Sequence, residues 1–306
     1  MTAPLAQRSA LVVGLGKLGA GIATRLAGAG ARVTGVRRGE AAPPGVALVR
    51  ADVTDAASLQ RLPADTELLV ICLTPDRHDA EGYRQAFVEG VGVLVDRLHQ
   101  APIRQALFVS STAVYGGGSA LDLDDQAIAV PDGYRGEILL DAERRLAAAP
   151  WPTISLRLSG LYGPGRNALI ERALRGRAAP AAPPHWTNRI HGDDAADAVL
   201  HLLARAAAGE SLPPWVIGSD PTPSPRHEVL AFLFEQLDVA SVAVAAGGPD
   251  RAASRRLWPR FLETSGFRWR YPDYRVGYAA QLAAMDASGE LADLRARIEG
   301  ELRGSA

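Results

Sequence analysis

Residues 10–19 read ALVVGLGKLG: an aliphatic run, then Gly14, Gly16 and Gly19 in GxGxxG spacing, then an alanine- and leucine-rich stretch reaching residue 29. No other segment restricts the fold so strongly. A strand that feeds a helix through so short a turn exposes the first-turn amides of that helix, which have no intrahelical partner and suit an anion. A lone GxGxxG is weak evidence, but strand before and helix after is the setting in which it means a dinucleotide-type phosphate turn. Gly14 fits the tight turn, Gly16 lets a pyrophosphate approach the backbone, and Gly19 lets the helix pack against the strand. Lys17 and Leu18 complete the turn and are counted with it. The lysine either reaches a phosphate or is a solvated loop residue.

Short aliphatic runs then alternate with longer helical patterns. Strands are expected at 10–13, 32–36, 47–50, 68–72, 106–110 and 153–158, with helices at 17–29, 58–62, 81–100 and 135–148. Strict alternation implies right-handed crossovers and a parallel sheet covered on both faces. The expected fold is α/β, a doubly wound Rossmann domain over residues 1–158. Beyond it, helical patterns at 168–175, 193–207 and 225–236 are separated by RAAPAAPPHW and GESLPPW, where proline removes donors and breaks regular sheet. A smaller mixed α/β cap is expected over 159–306, with a few segments returning to the first domain. It would close over the C-terminal edge of the sheet, where open α/β folds bind ligands. The final ASGELADLRARIEGELRG reads as a helix lying on the surface.

Composition narrows the partners. A formal charge of −1 offers no basic field for nucleic acid, so a small-molecule substrate is expected. The single cysteine, Cys72, excludes an intramolecular disulfide and a four-cysteine zinc site, and its apolar surroundings make it a buried strand residue. The apolar start is broken by glycines, so neither a leader nor a membrane span is expected and the location is read as cytoplasmic. Lys17 is the only lysine in the chain.

About 20 residues past the glycines, an NAD-selective protein carries a carboxylate for the ribose 2′-hydroxyl. This chain has GVRRGE there, with Arg37 and Arg38. Guanidinium groups suit a 2′-phosphate, so NADP(H) is favoured over NAD(H); the plainer reading is two solvated arginines. Asp52, followed by Val53 in RADVTD, is placed either to accept from the adenine amino group or to cap the short helix that follows.

Three further segments, LFVSSTAVYGGG (107–118), LRLSGLYGPGR (156–166) and NRIHGDDAADAVLHLL (188–203), resemble in order and spacing the extended short-chain dehydrogenase/reductases, also called the NAD-dependent epimerase/dehydratase family. The later GFRWRYPDYRVGYAAQL is similar to the C-terminal motif of an atypical branch. The resemblance implies that Ser111 hydrogen-bonds the substrate oxygen that gains or loses hydride. It implies that Leu73 and Thr74 line the cofactor, that Leu161 and Tyr162 flank the nicotinamide side, and that His191 and Asp194 tie the cap to the nucleotide domain. It further implies a homodimer through the helices at 81–100 and 135–148. A metal reading of HGDD lacks a companion cluster, so no metal is expected.

The departures are informative. The family's usual chemistry pairs a tyrosine with a lysine four residues later. Matching Glu143 to the family's helix glutamate puts Arg135 and Leu139 in those places; shifting by one gives Tyr134 and Ile138. No register supplies the cation. The glycine spacing also differs from the GxxGxxG usual in extended members. An unassisted tyrosine, with a pKa of about 10, is a poor base but can donate to a carbonyl or imine. Tyr134 and Tyr115 are each either that donor or an ordinary helix-start or core aromatic. Three functions follow: an NADP(H)-dependent oxidoreductase on a small carbonyl- or imine-type substrate, a sugar-nucleotide epimerase or dehydratase, or a non-catalytic NADP(H)-binding sensor or interaction protein.

Overall fold

The computed structural model describes residues 3–116, 121–241 and 254–304. Gly117 and Gly118, which end the 107–118 segment, lie outside the described residues. The first half of the chain runs β1 (Ser9–Val13), α1 (Lys17–Gly28), β2 (Arg32–Arg37), β3 (Val46–Arg50), β4 (Leu68–Ile71), α2 (Ala80–Arg84), α3 (Gly90–Leu98), β5 (Gln105–Ser111), β6 (Asp122–Asp124), α4 (Tyr134–Ala147) and β7 (Thr153–Leu158). It continues through β8 (Gly160–Tyr162), α5 (Ala168–Leu174), β9 (Trp186–Thr187), β10 (Arg189–His191), α6 (Gly192–Ala207), β11 (Trp215–Gly218), β12 (Ser224–Pro225) and α7 (Arg226–Leu237). The chain then forms β13 (Arg256–Trp258), α8 (Arg260–Thr264), α9 (Tyr274–Ser288) and α10 (Glu290–Gly304).

Seven strands form one parallel sheet in the order β11-β7-β5-β4-β1-β2-β3. The central strands SALVV and LLVI are buried at every position, as strands covered on both faces must be. On one face α1 and α6 bury Ile22, Leu26, Val199 and Leu202; on the other α3 and α4 bury Leu94, Leu98, Leu139 and Leu146. A third core, outside the sheet, packs α5, α7, α9 and α10 through Ile170, Leu230, Leu233, Tyr278, Met285 and Ile298.

Three features differ from the sequence expectation. The seventh strand, β11, was not expected: four residues between Pro214 and Ser219 are too short to show a period. It pairs with β7 at the sheet edge, and α6 packs on the sheet beside α1. The helix expected over 81–100 is divided by a π-turn, Gln85–Glu89. The short helix expected at 58–62 is a single 3-10 turn, Ser58–Arg61. The C-terminal region is mainly helical, with two- and three-residue ladders β8–β10, β9–β12 and β6–β13. Helix α10 lies outermost but buries Leu294 and Ile298 in the third core. Among the described residues no helix is long and apolar enough to cross a membrane.

Candidate functional site

The β1–α1 turn is shaped as its glycines require. Gly14 has φ +99°, and a Cβ there would lie 2.2 Å from the Cys72 carbonyl oxygen. A Cβ on Gly19 would lie 1.9 Å from the Gly14 carbonyl oxygen. Gly16 is the N-cap of α1; no side chain caps the helix, and no atom would come within 4 Å of a Cβ built on it. Open space therefore meets uncapped first-turn amides, which is the cradle a pyrophosphate needs.

From this turn a cavity of about 560 Å³ runs along the C-terminal ends of β1, β2 and β4. Of the residues singled out in the sequence, Gly14, Gly16, Arg37, Arg38, Asp52, Val53, Leu73 and Thr74 line it. Gln85 and Ala86 of the π-turn also line it; sequence gave no sign of them, because a π-turn has no periodic signature over five residues. Leu18 is buried under the turn, and Leu161 packs against the core beneath α1 and α6 rather than on the cavity wall. Cys72 lines the cavity, but burial pushes its thiol up to about 12, so it is no nucleophile at neutral pH.

The two arginines separate in role. Arg38 grips Asp76 with two hydrogen bonds of 2.5 Å and stands 3.7 Å from Asp52. The paired guanidinium holds the Asp76 carboxyl below its usual range. Asp76 was missed in the sequence because 38 residues separate it from Arg38. Arg37 donates only to the Ala41 carbonyl, at 3.2 Å, and no carboxylate pairs with it among the described residues; the adjacent Glu40 is engaged by Arg50 at 3.0 Å. Asp52 accepts from the amide and hydroxyl of Thr54, at 2.9 and 2.7 Å, and the turn before the 3-10 segment is held instead by Asp55, which accepts from Ala57. The capping alternative for Asp52 is thus corrected.

At the other end of the site, Ser111 closes β5 and its Oγ accepts from the Ala113 amide at 3.2 Å. A hydroxyl has one proton to donate. With Ala113 on the acceptor side, the proton of Ser111 meets no acceptor among the described residues. Tyr134 opens α4, lies edge-on to Tyr83, and donates to the His78 carbonyl at 2.6 Å. Its oxygen also accepts from Arg135 Nε at 3.2 Å. The expectation that Tyr134 has no cation is therefore corrected: the next residue supplies one, which spacing by whole turns cannot show.

Tyr115 is buried, and its hydroxyl accepts from Arg157 Nη1 at 3.0 Å. Burial is the main cause that raises its pKa. Arg157 is itself buried between the rings of Tyr115 and Trp215 and pairs with Glu143 at 2.7 Å, while Ser110 donates to Glu143 at 2.6 Å. This closed network is a core element. The donor role considered for Tyr115 is corrected to a structural one.

The 191–194 segment ties the layers together. His191 Nδ1 accepts from the Asp193 amide at 3.2 Å, its ring lies 3.9 Å from that of Tyr271, and burial lowers its pKa. Asp194 is fully buried and accepts from the amides of Arg270 and Tyr271 at 2.8 and 2.9 Å. Tyr162 is buried against Tyr278 and His191.

The fold and cradle define a Rossmann protein built to hold a dinucleotide. A model of the NAD dependent epimerase/dehydratase family matches residues 10–218. A Methylobacillus flagellatus protein assigned to the NAD-dependent epimerases/dehydratases is 35% identical, with 92% of this chain and 100% of that one covered at a TM-score of 0.77. The Bordetella bronchiseptica enzyme WbmG, solved with NAD and UDP, shares the fold at 19% identity, 93% and 96% coverage and a TM-score of 0.76. An epimerase-like protein from Burkholderia cenocepacia J2315 aligns at 22% identity, 91% and 99% coverage and a TM-score of 0.73. No curated protein matches. The chain belongs to the NAD-dependent epimerase/dehydratase family.

Proposed function

We propose that this protein is an NADP(H)-dependent oxidoreductase acting on a small carbonyl- or imine-type substrate. The observation that carries the reading is the cavity that joins the glycine cradle to Arg37, a cation without a carboxylate partner among the described residues. A 2′-phosphate would give Arg37 its counter-charge, whereas a 2′-hydroxyl would find no free carboxylate at the end of β2. Arg38 is already neutralised by Asp76, so the selectivity rests on Arg37. A nicotinamide, when bound, would supply or accept the hydride. On the protein's side, Ser111 Oγ donates to the substrate oxygen or nitrogen and fixes its face. Tyr134 is held by His78 and Arg135 and would serve as donor only after leaving the His78 carbonyl.

Fluorescence titration with NADPH and NADH tests this. NADPH is expected to bind more tightly, and Arg37→Asp is expected to weaken NADPH by about tenfold or more, the effect of one charge-assisted contact. Equal affinities unmoved by the substitution would overturn the NADP(H) preference, and binding of neither would overturn the enzyme reading. A second reading, a sugar-nucleotide epimerase or dehydratase, is favoured by WbmG having been solved with NAD and UDP. Appearance of a keto-sugar from a nucleotide sugar would establish it. As a homodimer, the protein would pair through α3 and α4.

A further inference from the structure

We infer that Arg166 is the cation that neutralises the cofactor pyrophosphate, carried to the glycine cradle on a tight turn that Lys17 holds in place. The inference rests on the reading that the cavity takes a dinucleotide, and it concerns how the side opposite the cradle completes that site.

The turn is Gly163-Pro164-Gly165-Arg166, between β8 and α5. Both glycines have positive φ, +114° and +69°, and the Arg166 amide closes the turn on the Gly163 carbonyl at 3.0 Å. It is fixed from two directions. Gln281 Nε2 donates to the Gly163 carbonyl at 2.8 Å, and Lys17 Nζ donates to the Gly165 carbonyl at 2.8 Å. A Cβ on Gly165 would lie 2.2 Å from Lys17 Nζ, so the close approach depends on glycine. The only lysine in the chain, in the first turn of α1, is therefore bonded to the turn that bears Arg166.

Arg166 is partly buried, and no carboxylate acts on it among the described residues. Its Nη1 would lie 3.3 Å from a Cβ on Gly192, the first residue of α6, and its charge is felt by Cys72, which lines the cavity beside Gly14. Desolvation lowers its pKa. A guanidinium that is desolvated, lacks a carboxylate and stands by a helix N-terminus is poorly placed in isolation, since the helix dipole there repels cations. A diphosphate on the α1 cradle supplies the missing charge.

The test is calorimetric titration of the full chain with ADP-ribose, adenosine and UDP, for the wild type, Arg166→Ala, Arg166→Lys, Lys17→Met and the double variant Lys17→Met/Arg166→Ala. Ligand-free melting temperatures control for folding. Arg166→Ala is expected to weaken ADP-ribose by about 10- to 100-fold and to leave adenosine unchanged, with Arg166→Lys recovering part of the loss. Because Lys17 acts through Arg166 as a positioning residue, Lys17→Met should weaken ADP-ribose in the wild-type background and add little once Arg166 is gone. ADP-ribose binding unaffected by Arg166→Ala would overturn the inference while leaving the dinucleotide reading intact. Loss of UDP binding alone would overturn it too, assigning the charge to a substrate diphosphate. A wild type that binds no ADP-ribose would overturn both.

Discussion

At the scale of the residue, the structure distinguishes charges that are answered from charges that wait. Arg157 and Glu143 sit in the core, yet every polar group of the pair meets a partner among Ser110, Tyr115 and each other. Asp220 is the opposite case. It is fully buried; Oδ1 accepts from the Thr222 amide at 3.1 Å, while among the described residues Oδ2 has no partner and Nη1 of the neighbouring buried Arg189 has none either. Burial pushes the Asp220 carboxyl up to about 7, with Arg189 opposing the rise and Asp273 and Asp194 adding to it. In the unfolded chain an aspartate titrates near about 3.9. Between those values the folded protein holds a proton that the unfolded chain has released, so this group's contribution is full below the lower value and is lost as pH rises through 7. Thermal melts should therefore show the wild type losing stability from pH 5 to pH 8 relative to Asp220→Asn, which keeps the Thr222 acceptor and cannot ionise. Parallel melting curves for the two across that range would show that Asp220 is ionised in the fold.

At the scale of the element, what could be read in advance is what local pattern encodes. The β1–turn–α1 unit was legible because strand, glycines and helix are contiguous, and six of the seven strands were legible, β1 and β4 as buried aliphatic runs and the others, such as the half-exposed VALVR of β3, as short runs rich in β-branched and aliphatic residues. The cavity wall was legible wherever a strand end delivers it: Arg37 at the end of β2, Asp52 after β3, Thr74 after β4. Contacts made by folding were not. The Arg38–Asp76 grip spans two loops, the Arg135 bond to Tyr134 bends back within one helical turn, and Lys17 in the first turn of α1 bonds the Gly165 carbonyl of a turn 148 residues away. Asp194 shows the same division, since its place near the start of α6 was legible but its partners at 270–271 were not. Its carboxyl joins the start of α6 to the chain that enters α9. Asp194→Ala would strand two backbone donors, and a loss of about 3 kcal/mol is expected from bonds to a charged acceptor. Thermal denaturation checks the magnitude. Limited proteolysis checks the place: cleavage should begin between β13 and α9. An unchanged melting temperature with uniform cleavage would show that the 270–271 segment is held by its ring contacts, Trp269 on Phe267 and Tyr271 on His191.

At the scale of the whole molecule, the two faces of the sheet are used differently. The face under α1 and α6 carries the Asp194 link to the C-terminal helices, so those elements are committed within one chain. The core under α3 and α4 takes in Leu257 of β13 but, among the described residues, no C-terminal helix. Val93, Val95 and Leu140 pack only partly into the core beneath, and Arg145 lies across Gly92 with its guanidinium paired to Asp141 on its own helix. Helix α4 has 14 residues, about 21 Å of length, and with α3 beside it the pair offers a face long enough for the roughly 800 Å² per partner that a stable interface needs. A second copy related by a two-fold axis would set the same two helices against themselves, which closes the assembly at two chains. Sedimentation equilibrium at micromolar concentration should then give twice the chain mass of 32.3 kDa. The cavity at the C-terminal strand ends reaches this layer only at Gly82, Gln85 and Ala86, ahead of α3, so the mass should not change when NADPH is added. A single-chain mass at that concentration would refute the dimer, and a mass that doubled only with NADPH would mean that the assembly is governed by the cofactor site rather than by α3 and α4.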